Sequence, residues 1–121
     1  MSFALVIDDN KQTTDALIQM LKLWKITARP ALSPSVAMAI LSGDTPAIVF
    51  LDINMPGVDG FEVLAYLRRE PRLAKVTVII VTSDDQSQTS KRAMDEGANA
   101  VIIKPVMADI LEKALKKVGI I

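Results

Sequence analysis

A doubly wound α/β sandwich, five parallel strands covered by helices on both faces, is the fold class this sequence predicts. Three observations carry the prediction. Five short apolar runs alternate with five amphipathic stretches of helix length along the 121 residues, without a repeat or a linker. Three of the runs, 47–52, 76–82 and 100–103, are almost continuously apolar, as strands are when helices cover both faces of a sheet. Right-handed crossovers then leave few other topologies for a βαβαβαβαβα order.

The elements follow in order. The first strand, 3–7, precedes a helix over 11–24, where Ala16, Leu17, Met20, Leu21 and Trp24 fall at helical spacing on one face. The second strand, 27–31, contains Arg29 and Pro30, which suit an edge position. Ser33 reads as an N-cap with Pro34 at the first helical position of a helix over 34–41, which Gly43 should stop. The strand at 47–52 leads to a helix over 61–69. The strand at 76–82 leads to a helix over 86–96, with Gly97 placed to end it. A strand at 100–103 and a helix over 107–117 complete one domain spanning 1–121.

Composition excludes several chemistries. Half the residues are apolar, so disorder is not expected. Basic and acidic residues balance at 14 each, which argues against nucleic-acid binding by bulk charge. The absence of cysteine removes disulfides and thiolate chemistry, and the absence of histidine removes imidazole as base, metal ligand or phosphoryl carrier. Chemistry must run on carboxylates, hydroxyls, lysine and metal. No signal peptide or membrane span is legible, so no membrane insertion and a cytoplasmic location are expected.

Against this background three acids stand out. Asp8 and Asp9 close the run Ala4-Leu5-Val6-Ile7, and Asp52 closes Ile48-Val49-Phe50-Leu51. An apolar strand has no packing use for an acid at its tip, and like charges held together need a compensating cation or ligand. Ligands of open α/β sheets bind beyond the carboxyl ends of the strands, where the strand order reverses. The flavodoxin-like order 2-1-3-4-5 sets the first and third strands side by side and brings the three acids to one oxygen-lined spot suited to a hard divalent metal. Thr82 and Lys104 sit at the ends of the fourth and fifth strands. Taken singly, Asp9 could be a helix cap, Asp8 could bridge to Lys104, Thr82 could cap a helix and Lys104 could be a solvated lysine. Jointly, the acids, hydroxyl and ammonium on one rim resemble a phosphoryl site: metal ligands, a nucleophile and two groups to hold phosphate oxygens.

The segment Asp52-Ile53-Asn54-Met55-Pro56-Gly57-Val58-Asp59-Gly60 resembles the phosphoacceptor segment of the receiver domains of two-component response regulators. The remaining landmarks of that family match in order: Asp8-Asp9, Thr82-Ser83 and Lys104-Pro105. The resemblance covers the whole chain. The order 2-1-3-4-5 is also that of the family's chemotaxis regulator, so topology and resemblance are not independent.

The resemblance implies that Asp52 is the nucleophile and phosphorylation site. It implies that Asp8, Asp9, Asp52 and the backbone carbonyl of Asn54 hold Mg²⁺ in an octahedral oxygen set completed by water. Lys104 would neutralise a phosphate oxygen, Thr82 would turn its hydroxyl to the phosphoryl group, and Ser83 would keep that neighbourhood small. Lys104-Pro105 would be a cis peptide, and Gly57 and Gly60 would give the loop its turning freedom. Asp84, two residues after the threonine, is expected at the site mouth as a determinant of the lifetime of the aspartyl phosphate. The implied partners are a sensor histidine kinase or histidine phosphotransfer protein, docking around residues 11–16, and an output domain or target protein.

Two positions depart from the family pattern. Val101 stands where many receivers have Tyr or Phe as an aromatic switch, and Val106 follows Lys-Pro where Phe is frequent. The stretch Asn99-Ala100-Val101 also lacks the acidic-acidic-aromatic run of the transcription-factor subfamily, so dimerisation in that mode is not expected. Two other readings compete. An aspartyl-phosphate phosphatase of the haloacid-dehalogenase type needs an acid two residues after the nucleophile, where this chain has Asn54, and the length leaves no room for a cap domain. A receiver fold kept as a binding module is opposed by the intact Asp8, Asp9, Asp52, Thr82 and Lys104. The apolar ending Val118-Gly119-Ile120-Ile121 leans towards a piece of a longer protein, and the output stays open.

Overall fold

The computed structural model describes residues 2–121. Five strands form one parallel sheet: β1 (Ala4–Ile7), β2 (Ala28–Ala31), β3 (Ile48–Leu51), β6 (Thr77–Thr82) and β7 (Ala100–Ile103). Their spatial order is β2-β1-β3-β6-β7, the expected 2-1-3-4-5. The helices are α1 (Lys11–Leu21), α2 (Pro34–Gly43), α3 (Gly60–Arg69), α4 (Ser87–Asp95) and α5 (Ala108–Lys117). Two further strands, β4 (Asn54–Met55) and β5 (Val58–Asp59), form a separate antiparallel hairpin that the sequence reading does not contain.

The sheet is apolar on both faces because alternate residues serve two cores. Leu5, Ile7, Val49, Leu51, Val78 and Ile80 pack in one core with Ala37 and Leu41 of α2, Leu64 and Leu67 of α3, and Ala93 of α4. Ala4, Val6, Ile48, Phe50, Ile79 and Val81 pack in the other with Leu17 and Leu21 of α1 and Leu111 and Leu115 of α5. As Arg29 and Pro30 predict, β2 lies at the sheet edge with both residues exposed.

Several local readings need correction. The helix expected over 11–24 is α-helical only to Leu21. It tightens into a 3₁₀ turn over Lys22–Trp24 and ends at Lys25, whose φ of 60° lets its N–H reach the Lys22 carbonyl. Its buried face is Thr14, Leu17 and Leu21, while Ala16 is exposed. Asn10, not Asp9, caps α1, its side chain accepting from Gln12 N and Thr13 N. Ser33 and Pro34 open α2 as expected, but that helix runs through Gly43 itself. Gly97, at φ 111°, does end α4.

Arg68 is a residue to which the sequence gives no special role. Its guanidinium donates to the carbonyls of Gly97 (2.9 Å), Ala74 (3.0 Å) and Val76 (2.7 Å) and to Asn99 Oδ1 (2.9 Å). Asn99 Oδ1 also accepts from Val78 N at 2.8 Å. One partly buried cation thus ties the end of α3 to the loops entering β6 and β7, satisfying carbonyls that would otherwise lack partners. Burial lowers its pKa without approaching neutrality.

Candidate functional site

The site begins with register. Ile7 lies opposite Leu51 across the β1–β3 pair, so Asp8 and Asp52 leave the sheet side by side. Asp52 N donates to the Ile7 carbonyl at 2.9 Å and Asp8 N to the Ala31 carbonyl at 3.1 Å. Thr82 lies opposite Ile103, which brings Lys104 to the same rim, its N donating to the Thr82 carbonyl at 2.7 Å. Asp8, Asp52 and Thr82 are buried, Lys104 is half-buried and Asp9 is exposed. The Lys104–Pro105 bond is cis, as expected.

Two of the three carboxylates, those of Asp8 and Asp52, therefore face one ammonium. Lys104 Nζ lies 2.9 Å from Asp8 Oδ2 and 3.7 Å from Asp52 Oδ2. The remaining oxygens turn to backbone: Asp8 Oδ1 accepts from Asn10 N at 2.9 Å and Asp52 Oδ1 from Asn54 N at 3.0 Å. Burial raises the pKa of Asp52, and the charge and proximity of Asp8 add to the rise. The Asn54 N–H and Lys104 oppose it without cancelling it.

The same carboxylates fit a metal ion. Asp8, Asp9 and Asp52 each offer an oxygen, and all three oxygens lie within 4.8 Å of one another. Asp8 Oδ2 is buried and accepts no hydrogen bond. It does touch Lys104 at 2.9 Å. The two facts describe one contact, close enough for charge attraction but poorly aligned for a hydrogen bond, and they leave a lone pair free for a cation. An all-oxygen donor set suits a hard divalent ion.

The hairpin after Asp52 shapes the other wall. Gly57, at φ 74° after Pro56, makes the two-residue turn of the hairpin. Asp59 caps α3 by accepting from Phe61 N at 2.9 Å. Gly60 serves proximity rather than turning freedom: a Cβ there would lie 2.3 Å from Ile53 Cα and 2.8 Å from the Asp52 carbonyl oxygen. The start of α3 thus rests directly on the backbone of the candidate nucleophile, and Gly60 N donates to the Ile53 carbonyl at 3.2 Å.

Thr82 Oγ1 accepts from Asn54 Nδ2 at 3.1 Å and from Asp84 N at 3.1 Å. The Asn54 side chain, at a position to which variation in hydrolysis among receivers is attributed, thus reaches Thr82 in addition to any role of its carbonyl. Ser83 is exposed beside them. Asp84 is half-buried, and both its oxygens face α4: Oδ1 accepts from Gln86 N at 3.0 Å and Oδ2 from Thr89 Oγ1 at 2.7 Å. These bonds lower its pKa, the Thr89 hydroxyl most of all.

A groove of about 440 Å³ adjoins the rim, lined by Asn10, Gln12, Thr13 and Ala16 from the start of α1 and by Lys104, Pro105 and Val106. Val101 is half-buried against the α2–α4 core. No helix among the described residues is long and apolar enough to cross a membrane.

Comparison with known proteins agrees with this geometry. Protein PilH of Pseudomonas aeruginosa is 29% identical over 118 residues, with 98% of each chain covered. The hybrid signal transduction histidine kinase L of Dictyostelium discoideum is 31% identical over 121 residues, but these span only 7% of the kinase. The response regulator PleD of Caulobacter vibrioides is 29% identical over 102 residues, 22% of its length. Among solved structures, the signal receiver domain of a DNA-binding response regulator from Colwellia psychrerythraea superposes with a TM-score of 0.89 at 29% identity over 98% of both chains. CheY4 of Vibrio cholerae superposes at 0.88 and 21% identity over 98% of both chains, a likeness of fold alone. The model of the response regulator receiver domain matches residues 4–116, and with that span matched and the acid-lined rim in place the chain belongs to the receiver domains of response regulators.

Proposed function

We propose that this receiver domain accepts a phosphoryl group on Asp52 from a phosphohistidine of a sensor histidine kinase or histidine phosphotransfer protein, in an Mg²⁺-dependent reaction. The observation that carries the reading is the cluster of Asp8, Asp9 and Asp52 at the ends of β1 and β3, with the Lys104 ammonium against Asp8 and Asp52. An Asp52 oxygen attacks phosphorus, the phosphorus–nitrogen bond of the donor breaks, and its electron pair leaves on the imidazole nitrogen, which takes up a proton. Mg²⁺ supplies positive charge against the phosphoryl oxygens when it is held by Asp8, Asp9, Asp52 and the Asn54 carbonyl.

The chain's own groups do the rest. Lys104, 3.7 Å from Asp52 Oδ2, is placed to meet a phosphoryl oxygen added there. Thr82 Oγ1 already accepts two hydrogen bonds, so its proton is the valence left to donate. The product is an acyl phosphate, labile enough for a timed signal. Beside this rim, the groove between the start of α1 and the segment 104–106 is the seat we assign to the donor protein. The phosphorylated domain then controls an output domain or a target protein.

The test is intact mass after incubation with Mg²⁺ and acetyl phosphate. One phosphate adduct is expected on the wild-type chain and none on Asp52→Asn or after chelation of the metal. An unmodified wild-type chain would sink the proposal in favour of a binding module, and sustained turnover of phosphomonoesters would favour a phosphatase.

A further inference from the structure

Helix α4 is the least anchored helix beside the site. Ala93 is its only buried side chain, whereas α3 buries Gly60, Phe61, Val63, Leu64 and Leu67. Its N-cap residue, Gln86, makes no side-chain capping bond. Asp84, which lies outside the helix, holds its start through side contacts instead, taking both Gln86 N and the Thr89 hydroxyl. Asp84 is in turn joined to Thr82, because its own backbone N–H donates to Thr82 Oγ1. A continuous chain of hydrogen bonds therefore runs from Asn54 through Thr82 and Asp84 to Thr89 in the first turn of α4. Val101 has no ring that could report a movement of Thr82.

From this chain we infer that the Asp84–Thr89 contact is a clasp coupling the state of Thr82 to helix α4, the route by which this chain, with valine at position 101, passes site occupancy to its surface. The inference rests on the phosphoacceptor reading of Asp52. When Thr82 turns its hydroxyl to a phosphoryl group, its oxygen leaves the Asp84 N–H. That part-buried donor then needs another acceptor, and the Asp84 backbone must move to find one. The Asp84 carboxylate cannot follow without straining or releasing the Gln86 N–H and the Thr89 hydroxyl. With one buried side chain and the stacking of Arg92 on the Phe61 ring holding it, α4 is the element that yields. Asp84 and Thr89 are thus positioning residues: neither is assigned contact with the phosphoryl group.

Amide hydrogen exchange on the full chain, before and after modification with acetyl phosphate and Mg²⁺, tests the clasp, with intact mass reporting the adduct. In the wild type, exchange over 86–92 should rise about tenfold on adduct formation, the scale of losing one or two hydrogen bonds. Thr89→Val should exchange fast over the same amides while unmodified, form the adduct to the same extent, and gain little more. Thr89→Ser should behave as the wild type, and Thr89→Ala replaces the valine variant if that one does not fold. An adduct that leaves 86–92 unchanged overturns the clasp alone, as does a Thr89→Val protein with the wild-type response. Absence of any adduct on the wild type removes the phosphoacceptor reading and the clasp together, and the mass measurement tells the two failures apart.

Discussion

Gly60→Ala is expected to lower the melting midpoint by roughly 10 °C and to disable the site with it. The added Cβ would stand 2.3 Å from Ile53 Cα and 2.8 Å from the Asp52 carbonyl oxygen. Both are backbone atoms, so no side chain can rotate away, and either α3 or the Asp52–Ile53 backbone must shift. Overpacking of that kind costs about 3 kcal/mol. Gly57→Ala is the control. It meets nothing within 4 Å and only carries a side chain into the left-handed region at φ 74°, so it should cost about 1 kcal/mol. Thermal melts of the two variants decide the matter: a Gly60→Ala protein that melts with the wild type would show that α3 does not rest on the nucleophile's backbone.

Asp52→Asn should do the opposite, stabilising the metal-free domain by on the order of 1 kcal/mol while abolishing the acceptor. The carboxylate is buried beside Asp8, and Lys104 pairs more closely with Asp8, so ionised Asp52 lacks full compensation. Asparagine keeps the oxygen that accepts from Asn54 N and removes the charge. The sign follows from the raised pKa. The folded state binds the Asp52 proton more tightly than the unfolded chain does, so ionisation removes stability as pH rises from the ordinary value of 3.8 through the raised one. Below that window the two proteins differ little on this account, and above it the difference stays constant. Mg²⁺ should reverse the ranking, because a ligand that binds only the folded state stabilises the protein carrying the full set of acids. Melts with and without Mg²⁺ between pH 4 and 8 would expose an error: a wild type more stable than Asp52→Asn without metal contradicts the account of the charge.

The elements of the fold were legible because each rests on a pattern within its own segment. The apolar runs of β3, β6 and β7 need no partner to be recognised, and Arg29 with Pro30 marks β2 as an edge by chemistry alone. The rim was legible for a related reason: an acid ending an apolar strand conflicts with packing, and the sheet order brings two such strands together. What escaped depends on backbone groups far apart in sequence. The carbonyls bound by Arg68 belong to the loops entering β6 and β7, and no side-chain pattern records them. The β4–β5 hairpin gives two residues to each strand, too few for alternation to appear, although Pro56-Gly57 marks its turn. Asp9 and Asn10 are both good caps, and only the backbone path into α1 selects Asn10. Gly60 reads in the sequence as a source of turning freedom because glycine's lack of a Cβ serves freedom and close approach equally well. Asp84 stands at the site mouth with its N–H on Thr82, but sequence position cannot tell which way its carboxylate turns, and the Thr89 hydroxyl settles that direction towards α4.

Of the carboxylates on this acid-lined rim, that of Asp52 alone is expected to receive the phosphoryl group. The most direct measurement is reduction of the acetyl phosphate-treated protein with borohydride, followed by peptide sequencing by mass spectrometry. Borohydride converts an acyl phosphate of aspartate into homoserine and leaves free carboxylates untouched. Homoserine is expected at position 52 and aspartate at positions 8 and 9. Homoserine at Asp8 or Asp9, with Asp52 intact, would contradict it.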